Sequence, residues 1–134
     1  MSVKIHYKVN GKNVMRRASF GEEKALAIEM WEFVRHMMVN EDNVFDAEHW
    51  KKAFTSIKYE CGVEIEWTDR CFLCDKCHYC YDCPLYDLGD ERSCICDSEN
   101  DTPYGVVIRY YEHDIGEIDK AINTIIDAIR RLKE

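Results

Sequence analysis

The sequence has few residues that break regular structure and no apolar run long enough to cross a membrane. Only 2 of its 134 residues are proline and 6 are glycine, and no Pro/Gly/Ser-rich linker divides the chain, so we expect a single domain over residues 1–134. The first residues lack the apolar core of a signal peptide, and a membrane-spanning helix needs about 20 apolar residues. We therefore expect a cytoplasmic protein without membrane contact.

Acidic residues are absent from the first 20 positions, although the whole chain carries a net charge of −8. The rest of the chain is therefore strongly acidic, above all in residues 87–101, whose spacing matches no EF-hand. Such an acidic surface should repel free nucleic acid and suit a protein partner, while the basic N-terminal segment is where nucleic acid would bind. The basic residues of this segment are Lys4, Lys8, Lys12, Arg16 and Arg17.

Alternation of residue types predicts a basic β-hairpin over residues 1–20. Apolar and polar residues alternate over 3–9, and Asn10-Gly11 supplies the two residues that best tolerate a tight turn. Successive strand residues point to opposite faces, so strand geometry alone places the lysines on one outer face.

A first helix is predicted to follow the hairpin, as the first half of a helical pair over residues 21–62. Ser19 and Glu22 have the spacing of a capping box, in which each side chain accepts a backbone hydrogen bond from the other residue. The residues after it repeat at helical spacing and predict a broad buried face. This face contains Leu26, Ala27, Met30, Trp31, Phe33, Val34, Met37 and Met38.

The second helix of the pair is predicted to begin at Asp46 and to end near Gly62. Phe45 and Trp50 flank its first turn and are placed to form a hydrophobic staple. Cys61 lies apart from the other cysteines, and we expect it to be a buried thiol rather than a ligand. The buried stripe is predicted to consist of Trp50, Phe54 and Ile57.

Strands are predicted on both sides of a cysteine-rich loop within residues 63–112, followed by a C-terminal helix over 113–134. Residues 63–67 alternate apolar and acidic side chains, and Val106–Tyr111 is rich in β-branched and aromatic residues. Asp114 and Glu117 again suit a helix start. The isoleucines of this helix recur at steps of three and four. They are expected to pack on the chain's own helices, across the sheet, or to join two copies in a homodimer.

Seven of the eight cysteines lie within residues 71–96 and predict a metal site. The first five recur at every third position and make four overlapping CxxC pairs. Two thiolates of one CxxC turn can bind the same tetrahedral zinc ion, about 2.3 Å from each sulfur. In a reducing cytosol, clustered thiols favour metal coordination over disulfides.

The ligand set has more than one solution. The simplest zinc site combines the pair Cys71 and Cys74 with the pair Cys80 and Cys83. Because the loop between the pairs is short, Cys94 or Cys96 is an alternative ligand, and a two-zinc cluster that includes His78 is a further arrangement. A [4Fe–4S] cluster is the chemical rival, although the third and fourth cysteines are closer here than in the bacterial ferredoxin run.

The cysteine pattern resembles one that recurs in small, uncharacterised zinc-binding proteins of bacteriophages and prophages. The shared features are CxLC from Cys71, CxxCPL from Cys80, Gly89 followed by a further cysteine, and TPY from Thr102. The resemblance implies a zinc-stabilised loop and a phage context, with a host-interaction or anti-defence role by association. The ligands that it implies are Cys71, Cys74, Cys80, Cys83 and Cys94.

Catalytic motifs are missing from the sequence. It contains no phosphate-binding glycine loop, no HExxH, no GxSxG and no deaminase signature, and a zinc ion held by four thiolates has no open coordination position. We therefore predict a non-enzymatic α+β protein with a small antiparallel sheet, about three helices and a zinc-stapled loop. Its alternatives are a nucleic-acid-binding zinc protein and an iron–sulfur or thiol redox protein.

Overall fold

Residues 3–66 and 103–133 are described in a computed structural model of the protein, and they form an α+β fold. The predicted fold class is thereby confirmed. In chain order, the described elements are β1 (Val3–Val9), β2 (Lys12–Arg17), α1 (Phe20–Met38), α2 (Ala47–Glu60), β3 (Val63–Ile65), α3 (Pro103–Ile108), a 3₁₀ helix (Tyr110–Glu112) and α4 (Ile115–Arg131).

The three described strands form one antiparallel sheet in the order β2-β1-β3. Asn10 and Gly11 connect β1 to β2 with φ angles of 50° and 79°, which is the backbone that a tight hairpin turn requires. On the other side of β1, Val3 pairs with Ile65. The N-terminal hairpin is thus confirmed, and β3 extends it into a sheet.

Helix α1 begins at the predicted capping box. The Ser19 hydroxyl accepts a hydrogen bond from the Glu22 N–H at 3.1 Å, and the Glu22 carboxylate accepts one from the Ser19 N–H at 3.0 Å. A cap of this kind contributes about 1 kcal/mol. The predicted apolar face is largely buried, and its most enclosed residues are Ala27, Met30, Trp31, Val34 and Met38.

Glu22 also connects the hairpin to α1. Both of its carboxylate oxygens accept hydrogen bonds from the Arg16 guanidinium at 2.8 Å. The bond from Arg16, followed by the backbone bond from Ser19, lowers the pKa of Glu22 from 4.5 to about 2. A lowered carboxyl pKa stabilises the fold above pH 4.5, and this contribution is lost as the pH falls towards about 2.

Replacing Glu22 with Gln should therefore lower thermal stability at neutral pH and make little difference once the carboxyl of the original protein is protonated. Melting curves of both proteins between neutral pH and about pH 2 measure this convergence. The exposed Glu41 provides the control, since Glu41→Gln should shift the curve little at any pH. A Glu22→Gln difference that stays constant down to the lowest pH would contradict the assignment.

Helix α2 begins as predicted, and Phe54 is buried and Trp50 half-buried against the core as expected, but the most enclosed stripe differs in part from the predicted one. The Asp46 carboxylate accepts a hydrogen bond from the His49 N–H at 3.0 Å, and the rings of Phe45 and Trp50 meet edge to face at 5.6 Å, which confirms the cap and the staple. Ile57, however, is 49% exposed, so its predicted burial is wrong. The stripe at i, i+4 and i+7 that faces inward consists of Ala47, Lys51 and Phe54. Because a charged lysine lies at its centre, this stripe is not recognisable as an apolar pattern in the sequence.

The end of α2 corrects the prediction for Cys61. This residue is the C-cap of the helix and is exposed, not buried, because the chain turns at the molecular surface to enter β3. Gly62 makes the turn with a φ of 86° and approaches β1 closely: its carbonyl accepts a hydrogen bond from the His6 N–H at 2.7 Å. The predicted helix stop at Gly62 is therefore confirmed.

Helix α3 and the 3₁₀ helix replace the strand that was predicted over Val106–Tyr111, so that prediction is wrong. Pro103 occupies the first helical position, where its missing N–H costs nothing. Tyr104 and Val106 are each 7% exposed, and Val107 is fully buried. Burial on a helix surface offsets the β preference of the two valines, as tertiary context often does.

Helix α4 contributes a large part of the hydrophobic core. Its predicted start is confirmed: the Asp114 carboxylate accepts the Glu117 N–H at 2.8 Å, and Glu117 completes the capping box. The helix packs mainly on α1 and α3, not across the sheet as predicted. The isoleucine seam is thus used within the chain, while a homodimer through this helix stays a prediction. Its buried residues are Ile118, Ala121, Ile122, Ile125, Ile126, Ala128 and Ile129.

Candidate functional site

The predicted metal ligands lie outside the described residues. This applies to Cys71, Cys74, Cys80, Cys83 and Cys94, to their alternatives Cys96 and His78, and to the acidic stretch 87–101. Within residues 3–66 and 103–133, no group of three or more His, Cys, Asp or Glu side chains is arranged to hold a metal ion. The zinc site and its iron–sulfur alternative therefore remain predictions.

The structure does define the two points at which the chain enters and leaves the cysteine-containing segment. On the N-terminal side, Ile65 is 6% exposed and pairs with Val3 at the edge of the sheet. On the C-terminal side, Tyr104 is 7% exposed and packs edge to face on Trp31, with ring centroids 5.9 Å apart. The described residues on both sides of the segment thus belong to the hydrophobic core.

The C-terminal anchor includes a buried lysine. The Lys51 side chain is fully buried, and its ammonium donates a hydrogen bond to the Tyr104 hydroxyl at 2.8 Å. The same ammonium lies 3.4 Å from a Glu48 carboxylate oxygen, to which the Tyr104 hydroxyl also donates. It also lies over the Trp31 ring, 5.9 Å from the ring centroid, within the range of a cation–π interaction.

This cluster joins α2 to α3 by polar contacts inside an apolar core. Removing a lysine from water costs several kcal/mol, and only well-placed partners offset the cost. Such partners also favour one docking position of α3, because a shift of α3 would lengthen the hydrogen bond between the Lys51 ammonium and the Tyr104 hydroxyl. Sequence analysis missed the cluster because Lys51 reads as a solvent-exposed helix residue. The available signal was its place at i+4 between Ala47 and Phe54.

A cleft of about 560 Å³, lined by both polar and apolar residues, lies beside the start of α4. His113 borders it, with a side chain 8% exposed and with Nδ1 3.0 Å from a Glu117 oxygen. Near it, the Tyr110 hydroxyl donates to the Val44 carbonyl at 2.6 Å. Glu117 is also part of the capping box, so the start of α4 already accounts for its position.

The basic hairpin is partly neutralised by neighbouring acids. The Lys4 ammonium lies 3.0 Å from Glu66 and 3.7 Å from Glu64, and the hydrogen bond to Glu66 is the main cause of its raised pKa. Arg16 is held by Glu22, as described above. These contacts engage two of the cations on which the nucleic-acid alternative depends. Tyr79, Tyr81 and Tyr86, its other predicted contacts, lie outside the described residues.

No protein-family model matches the chain, and comparisons with curated proteins and with solved structures gave no significant match. None of the described helices is long and apolar enough to span a membrane. Function must therefore be inferred from the residues and contacts of this chain.

Proposed function

We propose that the protein is a non-enzymatic binding protein whose cysteine-rich segment is folded by zinc and whose acidic surface meets a protein partner. The observation that carries this proposal is the run of overlapping CxxC pairs within residues 71–96. Clustered thiolates fit the preference of zinc for sulfur ligands, and four of them complete a tetrahedral, closed site. Zinc in such a site stabilises structure and does not activate substrates.

The described frame supports a structural role for the metal. Ile65 and Tyr104, the buried residues on the two sides of the cysteine-containing segment, are each held by tertiary contacts. A segment between two fixed ends gains stability from a further cross-link, because the cross-link lowers the entropy of its unfolded state. The ligands proposed are Cys71, Cys74, Cys80 and Cys83, with Cys94 as the alternative fourth ligand.

The proposed partner is a protein of a bacterial host or of a phage, and the binding would take place in the cytoplasm. The net charge of −8, together with the acidic residues within 87–101, favours a basic or mixed-charge protein surface over nucleic acid. The phage context and an anti-defence role follow from the resemblance of the cysteine pattern. Inhibition of a host protein by surface binding needs no catalytic group.

Metal analysis tests the zinc proposal. Protein purified anaerobically should contain about one or two zinc ions per chain and be colourless, as expected for thiolate-bound zinc. Cys74→Ser and Cys83→Ser should lower the zinc content and expose residues 71–96 to proteolysis. Cys61→Ser is the matched control, because Cys61 is an exposed helix cap, and its zinc content should equal that of the original protein.

Two results would contradict the proposal. Iron with sulfide and a brown colour would establish the iron–sulfur alternative and make electron transfer or redox sensing the leading function. Equal zinc loss in Cys61→Ser and Cys74→Ser would show that zinc is bound adventitiously by thiols throughout the chain.

A further inference from the structure

Two carboxylates border the cleft beside the start of α4. They belong to Glu41, in the turn after α1, and to Asp114, the N-cap of α4. The described residues that line the cleft include no lysine and no arginine. Arg109, which precedes this part of the chain, is paired with Glu112 at 3.2 Å. The charged side chains that line the cleft are thus negative.

The helix ends and the histidine at the cleft do not cancel this charge. Helix α1 ends at Met38 in the wall of the cleft, and the C-terminal carbonyl groups of a helix carry a partial negative charge. The N-terminus of α4 is partially positive, but the carboxylates of Asp114 and Glu117 already cap it. Glu117 also lies 3.0 Å from Nδ1 of His113 and would neutralise a protonated ring. The cleft therefore favours a cation over an anion.

Aromatic rings are the second feature of the cleft. Tyr110 and Tyr111 both line it, and their rings lie nearly perpendicular, at 84°, with centroids 5.7 Å apart. Tyr111 is 71% exposed, and Val44, whose carbonyl binds the Tyr110 hydroxyl, is 68% exposed. These are the two most exposed large hydrophobic side chains among the described residues. Exposed aromatic and apolar side chains beside a cleft are typical of a binding surface.

The size and lining of the cleft select the class of ligand. Its volume of about 560 Å³ is that of a ligand site and exceeds the volume of one side chain, and Met38, Ile115 and Ile118 add apolar area. An arginine guanidinium can stack on an aromatic ring while it donates hydrogen bonds to a carboxylate. A lysine ammonium is a point charge and uses fewer of these contacts. A segment with an arginine beside an apolar residue fits the whole lining.

We infer that this cleft binds an arginine side chain of the protein partner, together with an apolar residue next to it in the partner's sequence. The inference rests on the proposed function, in which an acidic surface meets a protein, and it assigns described residues to that surface. A metal ion alone fits less well, because the described residues include no group of three or more metal-ligating side chains. Phosphate or nucleic acid would be repelled by Glu41 and Asp114.

The test uses the full chain and a labelled peptide of about nine residues, with a central Leu-Arg pair in a background of serine and glycine. A second peptide carries citrulline in place of the arginine, which keeps the planar side chain but removes its charge. Fluorescence anisotropy measures affinity, and NMR identifies the residues that are contacted. We expect the arginine peptide to bind about tenfold more tightly than the citrulline peptide, with the largest shifts at residues 38–43 and 110–118.

Matched substitutions separate the cleft from the general charge of the protein. Glu41→Gln and Glu60→Gln each remove an exposed carboxylate, but Glu60 is the last residue of α2 and does not line the cleft. Tyr111→Ala and Tyr59→Ala each remove an exposed ring, and only Tyr111 lines the cleft. We expect Glu41→Gln and Tyr111→Ala to weaken binding about fivefold to tenfold, and the two controls to change it less than about twofold. Melting curves verify that all four variants are folded.

Several results would overturn the inference. These are absence of peptide binding, equal binding of the arginine and citrulline peptides, tighter binding of a glutamate peptide, and equal losses in the cleft variants and their controls. Self-association of the protein that Tyr111→Ala abolishes would make a second copy the occupant instead. Failure here is distinguishable from failure of the proposed function, because zinc content should be the same in Tyr111→Ala and the original protein.

Discussion

Replacing Lys51 with Ala should lower the free energy of unfolding by about 3 kcal/mol. The side chain is fully buried between α2 and α3, so its removal leaves a cavity and takes a partner from the Tyr104 hydroxyl and the Glu48 carboxylate. Chemical denaturation of both proteins measures the difference. The neighbouring Lys52 is exposed on the same helix, and Lys52→Ala should change stability by no more than about 0.5 kcal/mol.

A third variant separates packing from charge. Lys51→Met keeps most of the buried volume but removes the ammonium, so we expect a smaller loss than for Lys51→Ala. Full stability in Lys51→Met would mean that the ammonium adds no net stability to the fold. Equal and small effects of Lys51→Ala and Lys52→Ala would contradict the burial of Lys51.

Replacing Gly62 with Ala should destabilise the protein by about 2–3 kcal/mol. The φ of 86° is strained for any residue with a Cβ, and that Cβ would lie 2.8 Å from the His6 carbonyl oxygen. Because backbone atoms form this contact, no side chain can move to relieve it. The β1–β3 pairing should weaken first, which hydrogen exchange of the His6 and Ile65 amides would detect.

Replacing Gly21 with Ala should instead increase the stability of the protein. Gly21 lies in the first turn of α1, where an added Cβ would meet nothing closer than the Ser19 hydroxyl oxygen at 4.0 Å. Alanine restricts the unfolded chain and favours the helix, so Gly21→Ala should stabilise by about 0.5 kcal/mol. Equal effects at both glycines would show that Gly62 does not adopt its positive φ in solution.

Elements that depend on contacts between sequence neighbours could be predicted. The hairpin turn needs only Asn10 and Gly11, and the capping boxes need only residues three apart, such as Ser19 and Glu22. The staple of Phe45 and Trp50 is of the same kind. Each is formed by a few side chains within one turn, so the residue types identify it without knowledge of the rest of the fold.

Elements that depend on distant contacts could not be predicted. Val106 and Val107 favour a strand by propensity, but burial within the core holds them in α3. Lys51 reads as exposed until Tyr104 is placed beside it, and Cys61 reads as buried until α2 is seen to end at the surface. In each case, the burial or conformation of the residue depends on contacts with residues far away in the sequence or with solvent.

The sequence by itself therefore determined the α+β class, the hairpin and the starts of α1, α2 and α4, because local hydrogen bonds and periodicity specify them. It also places seven cysteines at metal-binding spacing, from which the zinc proposal follows, although those residues lie outside the described structure. Only the tertiary structure decided that α3 is helical, that a lysine is buried beside Tyr104, and that the end of α1 meets the start of α4 at a cleft. These features depend on which surfaces meet, and that is a property of the packed chain as a whole.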